Sequence, residues 1–473
     1  MTAPNICKFV IIPIVWIVCL PGVSMASSET VKPIDWGNVE VLDLKTAGLI
    51  ALADNPDVAA VRERVSQAKE QVAQARSAYY PSLDAAGAVS RVDQSENALH
   101  AIPAPGITNP EDYYRADLTA SWVLFNGFER KYTHASAKYG QSQSEYALKD
   151  ARRLLLSAVS ETYFAAQLAL EQVAIAEADE AFFGRQLKEA EIRHKVGTGT
   201  LSDKLNFEVR ANAARIDRIV ANRDYETARI ALAALLGIKN SRIPEQVKLK
   251  SLAPETETEL SEPDVTQLIN HARAYRPDVQ QQSAALQQAE AQQKIAKAPF
   301  YPTINLSASL NGERASDAGL EHDDFGNTVA MTLTYNFFSG RRDRSRLREA
   351  GFKIKEVEKK LKQLNISVAS DVQKSAAQVR QVQQALLLLR ENARLFQQNR
   401  DLAEKEYKAG QNSLVRLNEA QRDLTAAQAA QAQSITALRQ AWYDLKAETG
   451  QIESLFLKDS YKNNDIRHSK LLK

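Results

Sequence analysis

The sequence predicts a mainly α-helical fold with a transmembrane β part, built from one unit written twice. Three observations carry this. Landmark motifs recur at constant spacing, two stretches of 69 residues run without a proline, and apolar–polar alternation of period two precedes each of them. The balance of 60 basic against 58 acidic residues leaves a net charge of +2, which excludes a protein held to nucleic acid by bulk charge. Both cysteines, Cys7 and Cys19, fall in the first twenty residues, so a disulfide scaffold or cysteine-ligated metal is excluded for the rest of the chain.

Residues 1–26 read as an export signal. Lys8 precedes an apolar run from Phe9 to Leu20, and Ser24 and Ala26 put small residues at −3 and −1 of a cleavage site. The run is well short of the roughly twenty residues needed to span a bilayer. A lipidated Cys19 is disfavoured because Val18 is too large for the preceding position. A periplasmic segment is expected at 27–42, and no later stretch approaches spanning length. Any return to a membrane must therefore use β-strands.

The duplication sets the domains. Asn55-Pro56-Asp57-Val58 returns as Arg276-Pro277-Asp278-Val279, and Tyr80-Pro81 as Tyr301-Pro302, both at an offset of 221. Phe125-Asn126-Gly127 returns as Phe338-Ser339-Gly340, and Lys195-Val196-Gly197 as Lys408-Ala409-Gly410, both at 213. One eight-residue insertion between Pro81 and Gly127 explains the change. Repeat 1 is placed at 43–237 and repeat 2 at 264–450, with a linker at 238–263 and a flexible tail at 451–473.

Within each repeat the elements follow in order. Pro56 and Pro277 suit a first helical turn, and Asp57 and Asp278 complement the positive end of the helix dipole. The aromatic-proline pairs end these helices. Hairpins follow at about 82–125 and 303–337. In the first, Ala116, Leu118, Ala120, Trp122 and Leu124 alternate with Asp117, Thr119 and Ser121. In the second, Ile304, Leu306, Ala308 and Leu310, then Val329, Met331 and Leu333, alternate with Asn, Ser and Thr. Strands of about ten residues can cross a bilayer at a tilt, so Leu118, Trp122, Leu306 and Leu333 are expected to face lipid. Phe128–Val196 and Arg341–Ala409 then form helices that could each reach about 100 Å. Gly197 and Gly199 break the first near a tip at 197–200, and Gly410 the second near a tip at 410–413. Returning helices end at Gly237 and Gly450.

Four strands cannot close a barrel, and an open sheet edge cannot sit in lipid. Two copies give eight strands and a side-chain-filled barrel; three give twelve and room for water. The polar inward face favours three.

These residues together resemble the TolC family of outer membrane efflux proteins. The resemblance rests on the duplicated helix–hairpin–helix–helix unit, the Asn-Pro-Asp start, Leu124-Phe125-Asn126-Gly127, Phe337-Phe338-Ser339-Gly340, and Val196-Gly197 followed by Leu201-Ser202-Asp203. It covers roughly residues 40–451 and implies a homotrimeric channel-tunnel in the outer membrane, with a shared twelve-stranded β-barrel and a long α-helical barrel crossing the periplasm. It implies a passive conduit for efflux or type I secretion, with no catalysis and no cofactor. Implied partners are a periplasmic adaptor (membrane fusion) protein, an inner-membrane ABC or RND transporter and outer membrane lipid, and no nucleic acid. The tips would contact the adaptor through Val196, Gly197, Thr198, Gly199, Thr200 and Leu201, and through Ala409, Gly410, Gln411, Ser413 and Leu414. Asp203, Asn412, Arg416 and Glu419 fall on family positions at the periplasmic entrance. Of the two acidic constriction positions Glu419 keeps the charge and Arg416 reverses it, and Asn412 replaces the usual basic partner of Asp203.

The six histidines lack metal-like pairing, and no GxSxG or Walker lysine loop occurs. Arg341, Arg342, Arg344, Arg346 and Arg348 form a basic run at a strand-to-helix junction, read as membrane-proximal or as a solvated helix start. The alternative function, a periplasmic coiled-coil adaptor or structural protein, would not need paired ten-residue amphipathic strands.

Overall fold

A computed structural model describes residues 39–96, 110–315 and 317–457. The expected export signal, most of segment 27–42, much of the connection where the eight-residue insertion falls, and the chain from 458 lie outside the described residues.

Each repeat opens with two short helices in line, α1 (Leu44–Asp54) and α2 (Pro56–Ser77). Asn55 separates them: its Oδ1 accepts from the backbone N–H groups of Asp57 at 2.9 Å and Val58 at 3.3 Å, capping α2. Strands β2 (Ser82–Val92) and β3 (Glu111–Asn126) follow β1 (Val41–Leu42) in chain order. The long helix α3 (Glu129–Lys195) has 67 residues, and α4 (Leu201–Leu235) returns with 35. After β4 (Lys248–Leu249) and a 3₁₀ turn at Glu257–Leu260, the second repeat begins with α5 (Val265–Tyr275) and α6 (Pro277–Ile295). It continues through β5 (Thr303–Ala315) and β6 (Phe325–Thr334) to α7 (Arg342–Lys408) and α8 (Leu414–Glu448), again of 67 and 35 residues.

The end of α4 meets the α1–α2 break. Asn55 Nδ2 donates to the Leu235 carbonyl at 3.0 Å, and Gly237, at φ 76°, lies so close to the Asp54 carbonyl that a Cβ would collide with it. The short helix α2 and the returning α4 therefore run end to end beside α3. Buried small and branched residues fill the junction, among them Ala47, Ile50, Val58, Val159, Ala166, Leu232 and Leu236. The linker adds β4, parallel to β1, to this equatorial region.

The four long strands form one antiparallel sheet of order β2-β3-β5-β6. Its register pairs Ala85 with Leu118 and Leu118 with Leu310; Trp122 pairs with Leu306, Leu306 with Met331, and Ile304 with Leu333. Directly opposed residues share a face. One face thus collects Leu83, Leu118, Trp122, Leu306, Leu310, Val329, Met331 and Leu333, and the other Ser82, Asp84, Asp117, Thr119, Asn305, Ser307, Ser309, Thr328 and Thr332. Strands β2 and β6 each keep one unpaired edge.

Three expectations need correction. Strand β3 starts at Glu111 and runs for 16 residues instead of about ten, because Glu111–Arg115 pair with the far end of β2. Strand β6 stops at Thr334 rather than at 337: its partner β5 begins at Thr303, opposite Thr334, and Pro302 before it has no N–H to offer. The tail expected to be flexible from 451 first forms a helical turn at 452–457. There Ile452 and Phe456 are fully buried, the Phe456 ring occupying the space that a side chain on Gly48 would need.

Candidate functional site

The two helical tips are built alike. At the first, the N–H of Gly197 bonds the His194 carbonyl at 3.1 Å and that of Thr198 the Arg193 carbonyl at 2.9 Å, with Gly197 at φ 78°. At the second, the N–H of Gly410 bonds the Tyr407 carbonyl at 3.0 Å and that of Gln411 the Glu406 carbonyl at 2.9 Å, with Gly410 at φ 72°. Both patterns close the last turn over a left-handed glycine. The chain then restarts at an N-cap hydroxyl: Thr200 Oγ1 accepts from the Asp203 N–H at 3.0 Å, and Ser413 Oγ from the Arg416 N–H at 3.3 Å. Val196 and Leu201 are exposed at the first tip, and Leu414 is partly buried at the second.

Beneath the tips, Phe182, Phe183 and Ala190 of α3, Phe207 and Ala214 of α4, Ala403 of α7, and Leu417 and Ala420 of α8 form one buried cluster. It joins the two hairpins. Hydrogen bonds cross the same seam, from Gln186 Nε2 to Glu404 Oε1 at 3.2 Å and from Asn418 Nδ2 to Asn206 Oδ1 at 3.0 Å. Lys408 bridges Glu404 at 2.9 Å and Glu189 at 3.6 Å. Asp179 of α3 accepts from Gln421 Nε2 at 2.6 Å and Thr425 Oγ1 at 3.1 Å on α8. Burial, seconded by nearby Asp217, pushes its carboxyl above the usual aspartate range against these two hydrogen bonds.

The four entrance residues do not converge as one group. Asn412 donates to Glu406 Oε2 at 2.9 Å within its own tip, and Arg416 donates to Asn399 Oδ1 at 3.3 Å within its own hairpin. Arg416 and Glu419 lie exposed, three residues apart on α8, away from the buried side that carries Leu417, Ala420 and Gln421. Asp203 faces Tyr407 instead. Tyr407 packs edge-on to Phe207 at 6.0 Å and beneath the Arg193 guanidinium at 5.6 Å, and burial followed by the Asp203 charge raises its hydroxyl pKa. Sequence reasoning missed Tyr407 because its partners sit on the other repeat. Only its place three residues before Gly410 marked it as near a tip.

The sheet carries the other half of the site. Leu118, Trp122 and Leu333 are exposed, Leu306 is partly so, and all four share the apolar face set by the register. Trp122 Nε1 donates to the Tyr79 carbonyl at 3.0 Å, tying the sheet to the end of α2. Among the described residues no helix is long and apolar enough to cross a membrane, and no cluster of metal-ligating side chains converges.

The outer membrane efflux protein family matches residues 50–238 and 268–451, most of the chain. The pyoverdine export outer membrane protein OpmQ of Pseudomonas aeruginosa is 26% identical over 397 residues, which are 83% of this chain and 81% of that protein. The outer membrane protein TolC of Vibrio cholerae is 25% identical over 337 residues, 68% of this chain and 71% of that one. Among solved structures, the CmeC outer membrane channel of Campylobacter jejuni aligns with a TM-score of 0.74 at 17% identity, covering 86% of each chain, and shows the fold. With duplicated long helical hairpins and a two-faced sheet already described, the chain is a member of the outer membrane efflux protein family, a channel of the outer membrane that extends into the periplasm and serves efflux or secretion.

Proposed function

We propose that three copies of this chain close a twelve-stranded barrel over a helical tunnel, and that the tunnel is a passive exit duct completed by a periplasmic adaptor and an inner-membrane transporter. The observation that carries this reading is the sheet register. One face is apolar and the other polar, while β2 and β6 leave unpaired edges that lipid cannot satisfy. Edge joining edge around a ring removes both.

The helices support the same closure. α4 and α7 are the outer flanks of the two hairpins, α3 and α8 forming the seam between them. On α7, Leu388, Leu395 and Leu402 are exposed at heptad spacing, and on α4, Leu205, Val209, Ile216 and Ile219 are exposed along one stripe. In a ring, the stripe on α7 of one copy meets that on α4 of the next. The tips at Lys195–Asp203 and Lys408–Glu419 then encircle the periplasmic entrance. Their exposed residues Val196, Gly197, Thr198, Thr200, Leu201, Ala409, Gly410, Gln411 and Ser413 form the docking surface for the adaptor, with Gly199 and Leu414 set slightly deeper.

Arg416 and Glu419 of three copies would place an alternating rather than a purely acidic ring at the entrance. Reconstitution in planar bilayers tests the duct. A conducting trimer is expected, and Glu419→Gln should shift its ion selectivity toward anions. A monomer that stays soluble without detergent and never conducts sinks the proposal.

A further inference from the structure

The arginine run that opens α7 is used by nothing described above. Arg342 pairs with the buried Asp343 at 3.2 Å. Asp343 is held below the usual carboxylate range by its hydrogen bond with Ser339 and then by Arg342. Arg341, Arg344, Arg346 and Arg348 are exposed, and among the described residues none of them forms an ion pair; Arg348 reaches only Ser345 Oγ at 3.4 Å.

The duplication supplies an internal control. At the offset of 213, Arg341–Arg348 corresponds to Phe128–Ala135, which holds one glutamate, one arginine and one lysine where the second repeat holds five arginines and one aspartate. Both stretches open a 67-residue helix from a left-handed residue, Phe128 at φ 67° and Arg341 at φ 66°. The fold therefore does not require the arginines. Arg130 in the first repeat is moreover committed to backbone, donating to the Val123 carbonyl and, at 2.6 Å, to the Leu124 carbonyl.

Position points to what they meet. The run follows the apolar face of β6, which ends at Leu333, and then Tyr335 and Phe337, whose rings stack edge-on at 4.9 Å. Phe337 and Phe338 are 90% and 82% exposed, as aromatic residues at a bilayer interface would be. The helix from 341 to 348 climbs about 10 Å away from them. That is close to the depth of one headgroup layer, roughly 5–8 Å per leaflet. Further along α7 the chemistry changes: Lys353 at 2.9 Å and Lys360 at 2.6 Å flank Glu356, with Lys355, Lys359 and Lys362 beside them, so over 353–362 the basic side chains are lysines and the arginines are confined to the first turns.

We propose that Arg341, Arg344 and Arg348 bind the phosphate groups of anionic phospholipids in the periplasm-facing leaflet, fixing the depth and rotation of the second repeat at the membrane. This rests on the barrel reading above. Arg341, Arg344 and Arg348 share one helix face at steps of three and four, while Arg346, two residues from each of its neighbours, projects from the other side; guanidinium groups grip phosphate oxygens in pairs.

The test uses the full-length protein reconstituted into phosphatidylcholine vesicles with a minor share of phosphatidylglycerol, then re-extracted so that retained lipid can be counted by mass spectrometry. Wild type should retain phosphatidylglycerol in excess of its share. Arg341→Gln/Arg344→Gln/Arg348→Gln should lose that excess by more than about ten-fold, since each basic side chain near an anionic surface is worth about a five-fold effect. The three Arg→Lys replacements should keep most of it, and Lys131→Gln/Lys138→Gln in the first repeat should keep it all. Equal enrichment in wild type and the glutamine variant overturns the proposal, as does a variant that loses its trimer while keeping the lipid. Stabilisation of detergent-solubilised wild type by inorganic phosphate alone, as large as that by phosphatidylglycerol, also overturns it in favour of a free-anion site. If neither protein floats with vesicles, the barrel reading itself has failed.

Discussion

Asn55 and Arg276 hold equivalent places in the two repeats by different chemistry. Asn55 ties the α1–α2 break to the Leu235 carbonyl; Arg276 reaches the equivalent Glu448, bonding its carboxylate at 2.6 Å and its carbonyl at 3.4 Å, and pairs with Asp278 at 3.0 Å. The Arg276 side chain is only 9% exposed and also lies 3.8 Å from Asp371, so Arg276→Ala strands three carboxylates around a buried gap. A loss of about 3 kcal/mol is expected in denaturant unfolding. Asn55→Ala, which removes a neutral cap, should cost about 1–2 kcal/mol. Asp179 gives the residue scale its pH dependence. The folded state holds this proton more tightly than the unfolded chain does. Its contribution is therefore fully present below the ordinary aspartate range and is lost as pH rises through the raised pKa. Asp179→Asn removes the charge and keeps an acceptor for Gln421 or Thr425. Its thermal midpoint, measured against wild type from acid to neutral pH, should gain on wild type as pH rises; a gap independent of pH would show that burial does not govern this carboxyl.

At the scale of elements, the strand faces make the firmest claim. Trp122 and Leu333 lie on one face with Leu118 and Leu306, so Trp122→Asp/Leu333→Asp should leave the protein unable to assemble in the outer membrane. A lipid-facing Lys or Arg at mid-depth costs roughly 2–4 kcal/mol and an acid somewhat less, so the pair suffices to stall insertion. Flotation of the double variant at wild-type levels would show that the faces are reversed. The helices and the alternation were legible because they are local. Glycines at 197, 237, 410 and 450 stop helices that no proline interrupts, and all four adopt positive φ. What escaped is what one segment cannot know of another. The charged start of β3, Glu111-Asp112, does not look like a strand in sequence; it is one because β2 continues opposite it, with Arg91 3.9 Å from Asp112. The buried Ile452 and Phe456 follow a glycine and precede a polar tail, and only the cleft beside Gly48 and Leu156 explains their burial. At the tips the position of Asp203 could be read but not its neighbour, since Tyr407 comes from the other repeat. Asn412 escaped for the opposite reason: its partner Glu406 lies six residues back in its own turn, a local closure that the comparison between repeats does not reveal.

At the scale of the whole molecule, the proposed ring rests on two sheet edges left unpaired, at β2 and β6. Its exposed stripes on α4 and α7 are long, and a single charge in one of them should be felt by every copy of the ring. Leu395→Glu is expected to convert trimers in mild detergent to monomers without loss of helix content, read by native mass spectrometry and circular dichroism; intact trimers would move the contact elsewhere. The two corners where sheet becomes helix are unequal. In the first repeat two residues, Gly127 and Phe128, separate β3 from α3, and Arg130 clasps the strand end. In the second, seven residues from Tyr335 to Arg341 intervene between β6 and α7, and Asp343 stands where that arginine would be. Asn336 Oδ1 accepts from the Phe338 N–H at 3.2 Å and the Ser339 carbonyl from the Arg342 N–H at 3.1 Å, so the second corner is braced along its own backbone where the first is clasped by a side chain, and the two repeats hand tunnel to sheet over unequal lengths of chain.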